Sequence, residues 1–316
     1  MRVVVLCFVL LVAVSASASI LHDLDAAKTG NYAPLAARAN NSKDPDCGVA
    51  ARALGNYCLR HGGDAFGWFA VAARSGDPKI ASEALCSQAN LCVRANDKEA
   101  AAYYFKEAAK TANAQADVAE YYYRAGKCYV ALAQASGKYP ATRIAYKKQA
   151  RELFDLAGTD AAYVEVLGIR FENILDWEVT PNHPQYLFSP MADSWELWRE
   201  DTRKFIERCE DPESKATAQL MLGEILCCKK GGDVFEALQL FRKIDPRHKK
   251  QAAWGRIVSG DIYQRWNMHA TAIKVLNSII TDFPNEGINF DRNDVKKDAA
   301  EMIAISKEEQ QKAVAK

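Results

Sequence analysis

Apolar side chains recur at helical spacing along most of this 316-residue chain, and their sizes follow a fixed order within each predicted pair of helices. The clearest stretch is 253–286, AWGRIVSGDIYQRWNMHATAIKVLNSIITDFPNE. Counting from Ala253, a small residue stands at position eight (Gly260) and a ring at eleven (Tyr263). Ala272, Leu276 and Ile279 follow at twenty, twenty-four and twenty-seven, and Pro284 at thirty-two. The pattern predicts two helices joined by a turn. Where they cross, the points of nearest approach need small side chains, Gly260 and Ala272, while Tyr263, Leu276 and Ile279 fill the flanking space. Pro284 stops the second helix.

The same offsets return along the chain. Residues 19–41 are alanine-rich, and Tyr32-Ala33-Pro34-Leu35 predicts a helix opening at a proline, part of an N-terminal helix pair. Pro45-Asp46 starts the next helix, where Leu54-Gly55 and Cys58 repeat the first-helix pattern ahead of AFGWFAVAARSGDP, 65–78. Leu85, Ala89 and Cys92 then pair with Ala101, Phe105 and Ala108, with Asp97 as N-cap of the second helix. Tyr122, Gly126 and Tyr129 pair with Ala150, Phe154 and Ala157. Here twelve residues beyond the usual spacing require longer helices or an extended turn near 136–141. Leu167-Gly168 with Phe171 opens a fourth pair; Leu222-Gly223 and Leu226 open a fifth, completed by Ala237, Phe241 and Ile244 after Gly231-Gly232. Between these, 178–193 (EVTPNHPQYLFSPMAD) holds three prolines and predicts a surface loop, followed by a helix over 194–209 with Trp195, Trp198 and Phe205 on one side. Asn293-Asp294 caps a last helix with a charged outer face. No linker is evident, so one stack rather than two globular domains is expected.

These offsets resemble the tetratricopeptide repeat, and 65–78, with Trp68-Phe69, Ala72-Ala73 and Gly76-Asp77, resembles the related Sel-one-like repeat. The resemblance covers about 46–286. It implies an all-α fold, a right-handed α-solenoid of tetratricopeptide-like helix–turn–helix repeats. Residues 19–45 would be an N-terminal helical cap, 173–200 an irregular insert, and 287–316 a C-terminal capping helix. The family further implies that first helices line a concave face through repeat positions two, five, nine and twelve. Transferred to this chain, that places Arg52, Asn56, Glu83, Asn90, Tyr123, Lys127, Trp254, Asp261 and Gln264 there. Arg52 with Asn56 resembles the basic-then-asparagine pair by which some members hold a peptide's C-terminal carboxylate. Arg124 fits the same clamp, whereas Ser87 stands in place of an asparagine and Glu120 in place of a lysine.

Composition narrows the partners. Lys plus Arg total 41 against 40 Asp plus Glu, a net charge of +1 that leaves no basic excess for nucleic acid or an anionic membrane surface. Arg2, the apolar run Val3–Val14 and the small residues 15–19 read as a secretory signal, 1–18, cleaved near Ala18. Twelve apolar residues are too few to span a bilayer, and no later segment is apolar enough, so no membrane span is expected after cleavage. The expected localisation is exported, periplasmic or secreted. Of nine cysteines Cys7 lies in the signal; the remaining eight do not resemble a disulfide framework and read as thiols packed like small hydrophobes. Cys47 with Cys58 is the first pair to test for a bridge.

No nucleotide-binding glycine loop, serine-hydrolase elbow, zinc-protease helix or haem-attachment motif is present. The five histidines are scattered, and carboxylate pairs such as Glu207/Glu210 or Asp193/Glu196 lie one helical turn apart, as solvated faces do. No catalytic, cofactor-binding or metal-binding residue is expected. Trp177, His183, Tyr186, Phe188, Trp195 and Trp198 gather around the prolines, either as binding anchors, chiefly Tyr186 and Phe188, or as rings folded back over the stack. The expectation is an exported scaffold or adaptor binding a protein or peptide. The alternatives are an exported enzyme acting on polysaccharide or peptidoglycan, and a structural subunit of an envelope or secretion assembly.

Overall fold

The computed structural model describes residues 20–137, 139–179, 195–228, 232–284, 289–290 and 293–314. The predicted signal 1–18, most of the three-proline loop with His183, Tyr186 and Phe188, and Gly231 lie outside the described residues. Two compact units make up the chain, divided between Ala162 and Tyr163. The first holds α1 (20–28), α2 (Ala33–Ala39), α3 (Cys47–His61), α4 (Ala65–Ala72), α5 (Pro78–Arg94), α6 (Lys98–Thr111), α7 (Gln115–Ala135) and α8 (Pro140–Ala157). The second comprises α9 (Asp160–Val179) from Tyr163 on, α10 (Trp195–Arg208), α11 (Pro212–Cys228), α12 (Val234–Lys243), α13 (Lys249–Arg265), α14 (His269–Asp282) and α15 (Val295–Val314). Among the described residues the sole extended pairing is a two-residue antiparallel ladder, β1 (Asn289–Phe290) on β2 (Asn293–Asp294).

Helices consecutive in the chain pack on one another: α2 through α8 in the first unit, and α10 through α15 in the second. Alternate helices also touch, α3 with α5, α11 with α13 and α13 with α15. The pairs close where a helix backbone meets a large side chain of the next helix. A Cβ added to Gly55 would lie 2.6 Å from the Phe69 ring, and one on Gly126 would lie 2.6 Å from the Phe154 ring. On Gly260 it would lie 2.6 Å from Leu276 Cδ2, and on Gly223 it would run into the Phe241 ring. One turn before each of these large residues stands a buried alanine: Ala65, Ala150, Ala272 and Ala237. Ala101 and Phe105 keep the same order in α6, with Ala89 buried in the same cluster. Gly168 does not repeat the contact. Its nearest foreign atom is Met221 Cε at 3.8 Å; on the preceding residue, Leu167 O accepts from Nε1 of the fully buried Trp198 at 2.9 Å.

Turn chemistry sets where the helices begin and end. Asp64, Asp97 and Asp233 accept from the backbone N–H of Gly67 (2.7 Å), Ala100 (3.0 Å) and Glu236 (3.0 Å), capping α4, α6 and α12. Prolines sit in the first turns of α2, α5 and α8, where a missing N–H costs nothing. The turns after α5 and α13 match residue for residue. Asn96 and Asn267 adopt φ of 60° and 57°, and the following N–H groups reach back to Cys92 O at 2.9 Å and Tyr263 O at 2.8 Å. Asparagine tolerates this left-handed conformation, and the back-bonded pattern satisfies carbonyls at the helix end.

Three expectations are resolved or revised. The extra residues of the third pair lengthen its helices, α7 to 21 residues and α8 to 18, instead of extending the turn. Trp198 and Phe205 are core side chains, with Tyr163 stacked on Phe205 at 4.9 Å, so this part of the aromatic segment folds inward. Cys47 and Cys58 do not bridge. Both lie on α3, eleven residues or roughly 16 Å apart at 1.5 Å per residue, beyond the reach of a disulfide. Cys47 instead donates to Ala39 O at 3.1 Å, and Cys58, Cys86, Cys92 and Cys128 are likewise unbridged.

The crossings predict that Gly55→Ala and Gly126→Ala each lower unfolding free energy by about 1–3 kcal/mol in urea titration, because a buried ring edge has nowhere to move. Gly76→Ala, whose Cβ would meet nothing within 4 Å, serves as the control and stays within about 1 kcal/mol of wild type. Asp97→Ala is expected to cost about 1 kcal/mol through its lost cap.

Candidate functional site

In the first unit the residues expected to face a partner fall on α3, α5 and α7, and the fold brings several of them together. Arg52 on α3 ion-pairs with Glu83 on α5, with 33% and 35% of their side chains exposed. Asn56, on the same side of α3 one turn later, is exposed. Asn90, also exposed, donates to Cys86 Sγ at 3.7 Å, one turn back on α5.

On α7, Arg124 donates from Nε to Glu120 Oε1 at 2.6 Å, and its guanidinium lies 5.9 Å from the Phe105 ring centre. Arg124, Glu120 and Asp117 are close enough to act on the Cys86 thiol across the helix boundary. Burial pushes that thiol above its ordinary range, and Arg124 opposes the rise. Next to it, the Tyr121 hydroxyl bonds with Ser82 but is pushed up to about 12, first by burial and then by Cys86 and Asp117. Lys127 is exposed, whereas Tyr123 is half-buried with its ring 5.7 Å from Phe154, and so belongs in part to the α7–α8 packing.

The result is a row of exposed or half-exposed groups of both signs, running over three helices. Arg52 and Arg124 each already hold a carboxylate, so a lone terminal carboxylate would have to displace Glu83 or Glu120. Half-exposed ion pairs of this kind contribute about 0–1 kcal/mol, so their partners can be exchanged at little cost. Such a surface suits a polar segment that offers both donors and acceptors more than a single anion.

The second-unit residues are engaged differently. Trp254 is half-buried and donates to Glu224 Oε1 at 2.5 Å, tying α13 to α11. Asp261 pairs with Arg265 one turn on, at 2.7 Å. Gln264, expected on an open face, lies under the last helix: its Nε2 donates to Met302 O and Ser306 Oγ, both at 2.7 Å. Ser306, a small polar residue in this otherwise highly charged helix, is fully buried there.

Phe235 and Trp266 are further exposed rings of the second unit. They are 70% and 39% exposed, and their rings lie 5.4 Å apart. Both fall outside the buried offsets of their hairpins, which marked them as surface residues. Among the described residues no group of three or more His, Cys, Asp and Glu is placed to hold a metal ion, and no helix is long and apolar enough to cross a membrane.

The charged surroundings of Cys86 give a direct readout. Its alkylation rate is expected to keep climbing with pH past about 8.5, where an unperturbed thiol is half ionised. Arg124→Gln should move that midpoint higher still, measured by quenched-labelling mass spectrometry against an unfolded control. A comparison of the chain with protein-family models returned no match, and a comparison with curated proteins likewise returned none.

Proposed function

We propose that this protein is a non-catalytic adaptor, exported by its N-terminal apolar segment, whose hairpins stack as tetratricopeptide-like repeats in a right-handed α-solenoid. Its partner is a protein or peptide segment that lies along α3, α5 and α7. The observation that carries the reading is the mixed-charge row itself: Arg52–Glu83 joins two first helices side by side, and Glu120–Arg124 continues the row on a third. The repeat reading draws support from the glycine contacts at Gly55, Gly126, Gly223 and Gly260, and from the matching turns at Asn96 and Asn267. A stack of this kind exposes the same repeat positions again and again, and so presents an extended surface to an extended partner.

Panning a random peptide library against the chain lacking residues 1–18 tests the proposal. Peptides carrying charges of both signs should be enriched and should bind more weakly as salt rises. Glu83→Lys and Arg124→Glu should each weaken binding at least tenfold in calorimetry, whereas Asp245→Ala, in the other unit, should not. Failure to enrich any sequence, or binding indifferent to both charge reversals, would remove the proposal.

A further inference from the structure

A cavity of about 260 Å³ opens within the second unit where α12, α13 and α14 meet. Phe241, Ile244 and Val275 give it an apolar lining, and Arg242, Arg256 and Tyr263 bring polar groups to it. The two guanidinium groups are held differently. Arg256 donates from Nη1 to Ser278 O at 3.0 Å and to Asp282 Oδ2 at 2.7 Å, and so is neutralised within its own hairpin. Arg242 donates from Nη2 to the Tyr263 hydroxyl at 2.7 Å, and among the described residues no carboxylate lies within ion-pair reach of it. Because Tyr263 Oη accepts that bond, its own proton is left to donate.

The cavity is thus lined by the guanidinium of the solvent-exposed Arg242, which has no carboxylate partner among the described residues, by a neighbouring hydroxyl donor and by apolar side chains. The serine hydroxyls at its edge do not add donors: Ser259 is bonded to Gly255 O at 2.7 Å and Ser278 to Val275 O at 2.6 Å. We infer that this is a binding site for a small monoanionic organic acid, its carboxylate between Arg242 and the Tyr263 hydroxyl and its hydrocarbon part against Phe241, Ile244 and Val275. A guanidinium fork matches a planar carboxylate, and the lining rewards burial of a branched hydrocarbon. A phosphate dianion fits less well, since Asp282 already occupies Arg256 and the remaining charge is single. The volume, roughly nine times the share of one water in the liquid, admits a small acid and little more.

Calorimetric titration of the full chain with 4-methylpentanoate, 4-methylpentanamide and inorganic phosphate tests the inference. A peptide ending in a free leucine carboxylate serves as a further arm, to distinguish a free acid from a chain terminus. The expected result is saturable binding of 4-methylpentanoate, at least tenfold weaker binding of the amide, and weaker binding of phosphate and of the peptide. Arg242→Met keeps the aliphatic stem and removes the charge; it should weaken the acid at least tenfold while leaving the thermal midpoint of the unliganded chain within a few degrees. Should that variant unfold, Tyr263→Phe provides the second test, with a loss of severalfold expected. Equal binding of acid and amide, preference for phosphate or the peptide, wild-type affinity in a folded Arg242→Met, or no heat at 10 mM 4-methylpentanoate would each overturn it.

Discussion

Close contact between a glycine backbone and a large apolar side chain on the following helix is the constraint on which both units depend. At Gly55, Gly126, Gly223 and Gly260 the absent Cβ is the space that Phe69, Phe154, Phe241 and Leu276 occupy. Glycine inside a helix costs about 1 kcal/mol relative to alanine, and burial of a phenylalanine or leucine side chain, at about 1.5–3 kcal/mol, offsets it. The contact also fixes which faces meet. With a ring seated on the backbone, the flanking alanines are drawn into the interface, and helix pairs of very different length share one crossing. The pair of α7 and α8 is longer than that of α3 and α4, yet Gly126 meets Phe154 as Gly55 meets Phe69.

The turns reinforce this geometry locally. An aspartate cap sets the start of α4, α6 and α12, and a left-handed asparagine ends α5 and α13, so four of the hairpins, though not α7–α8, have a turn-side end fixed by local bonds. Once a helix has one side committed to its hairpin partner and another to the next pair, the remaining stripe is left to solvent. On α3, α5 and α7 that stripe carries Arg52, Glu83, Asn90, Glu120 and Arg124. The charges meet side chains of adjacent turns and helices instead of pointing singly into water. The second unit uses its equivalent stripe in another way, since Gln264 and Trp254 bond to α15 and α11. One packing rule therefore yields an exposed polar row in one unit and internal ties in the other. The Arg242–Tyr263 cavity arises from the same rule, as a space between three helices that apolar side chains do not fill.

Most helix positions and the crossings at Gly55, Gly126, Gly223 and Gly260 followed from local sequence, because helical period, residue size, aspartate caps and proline stops each act within a few residues; the length of α7 and α8 and the missing crossing at Gly168 did not. That is why Gly260 against Leu276 and Asp97 as a cap could be read from the chain. What only the tertiary structure decided is how charges and polar groups separated by tens of residues pair. Arg52 meets Glu83 thirty-one positions away, Gln264 is covered by Ser306, and Arg242 donates to Tyr263 with no carboxylate beside it among the described residues. The sequence offsets said which residues share a helix face, but not which neighbour lies opposite. Such pairings depend on the angle and offset between whole helices, which every packed side chain in the interface sets together.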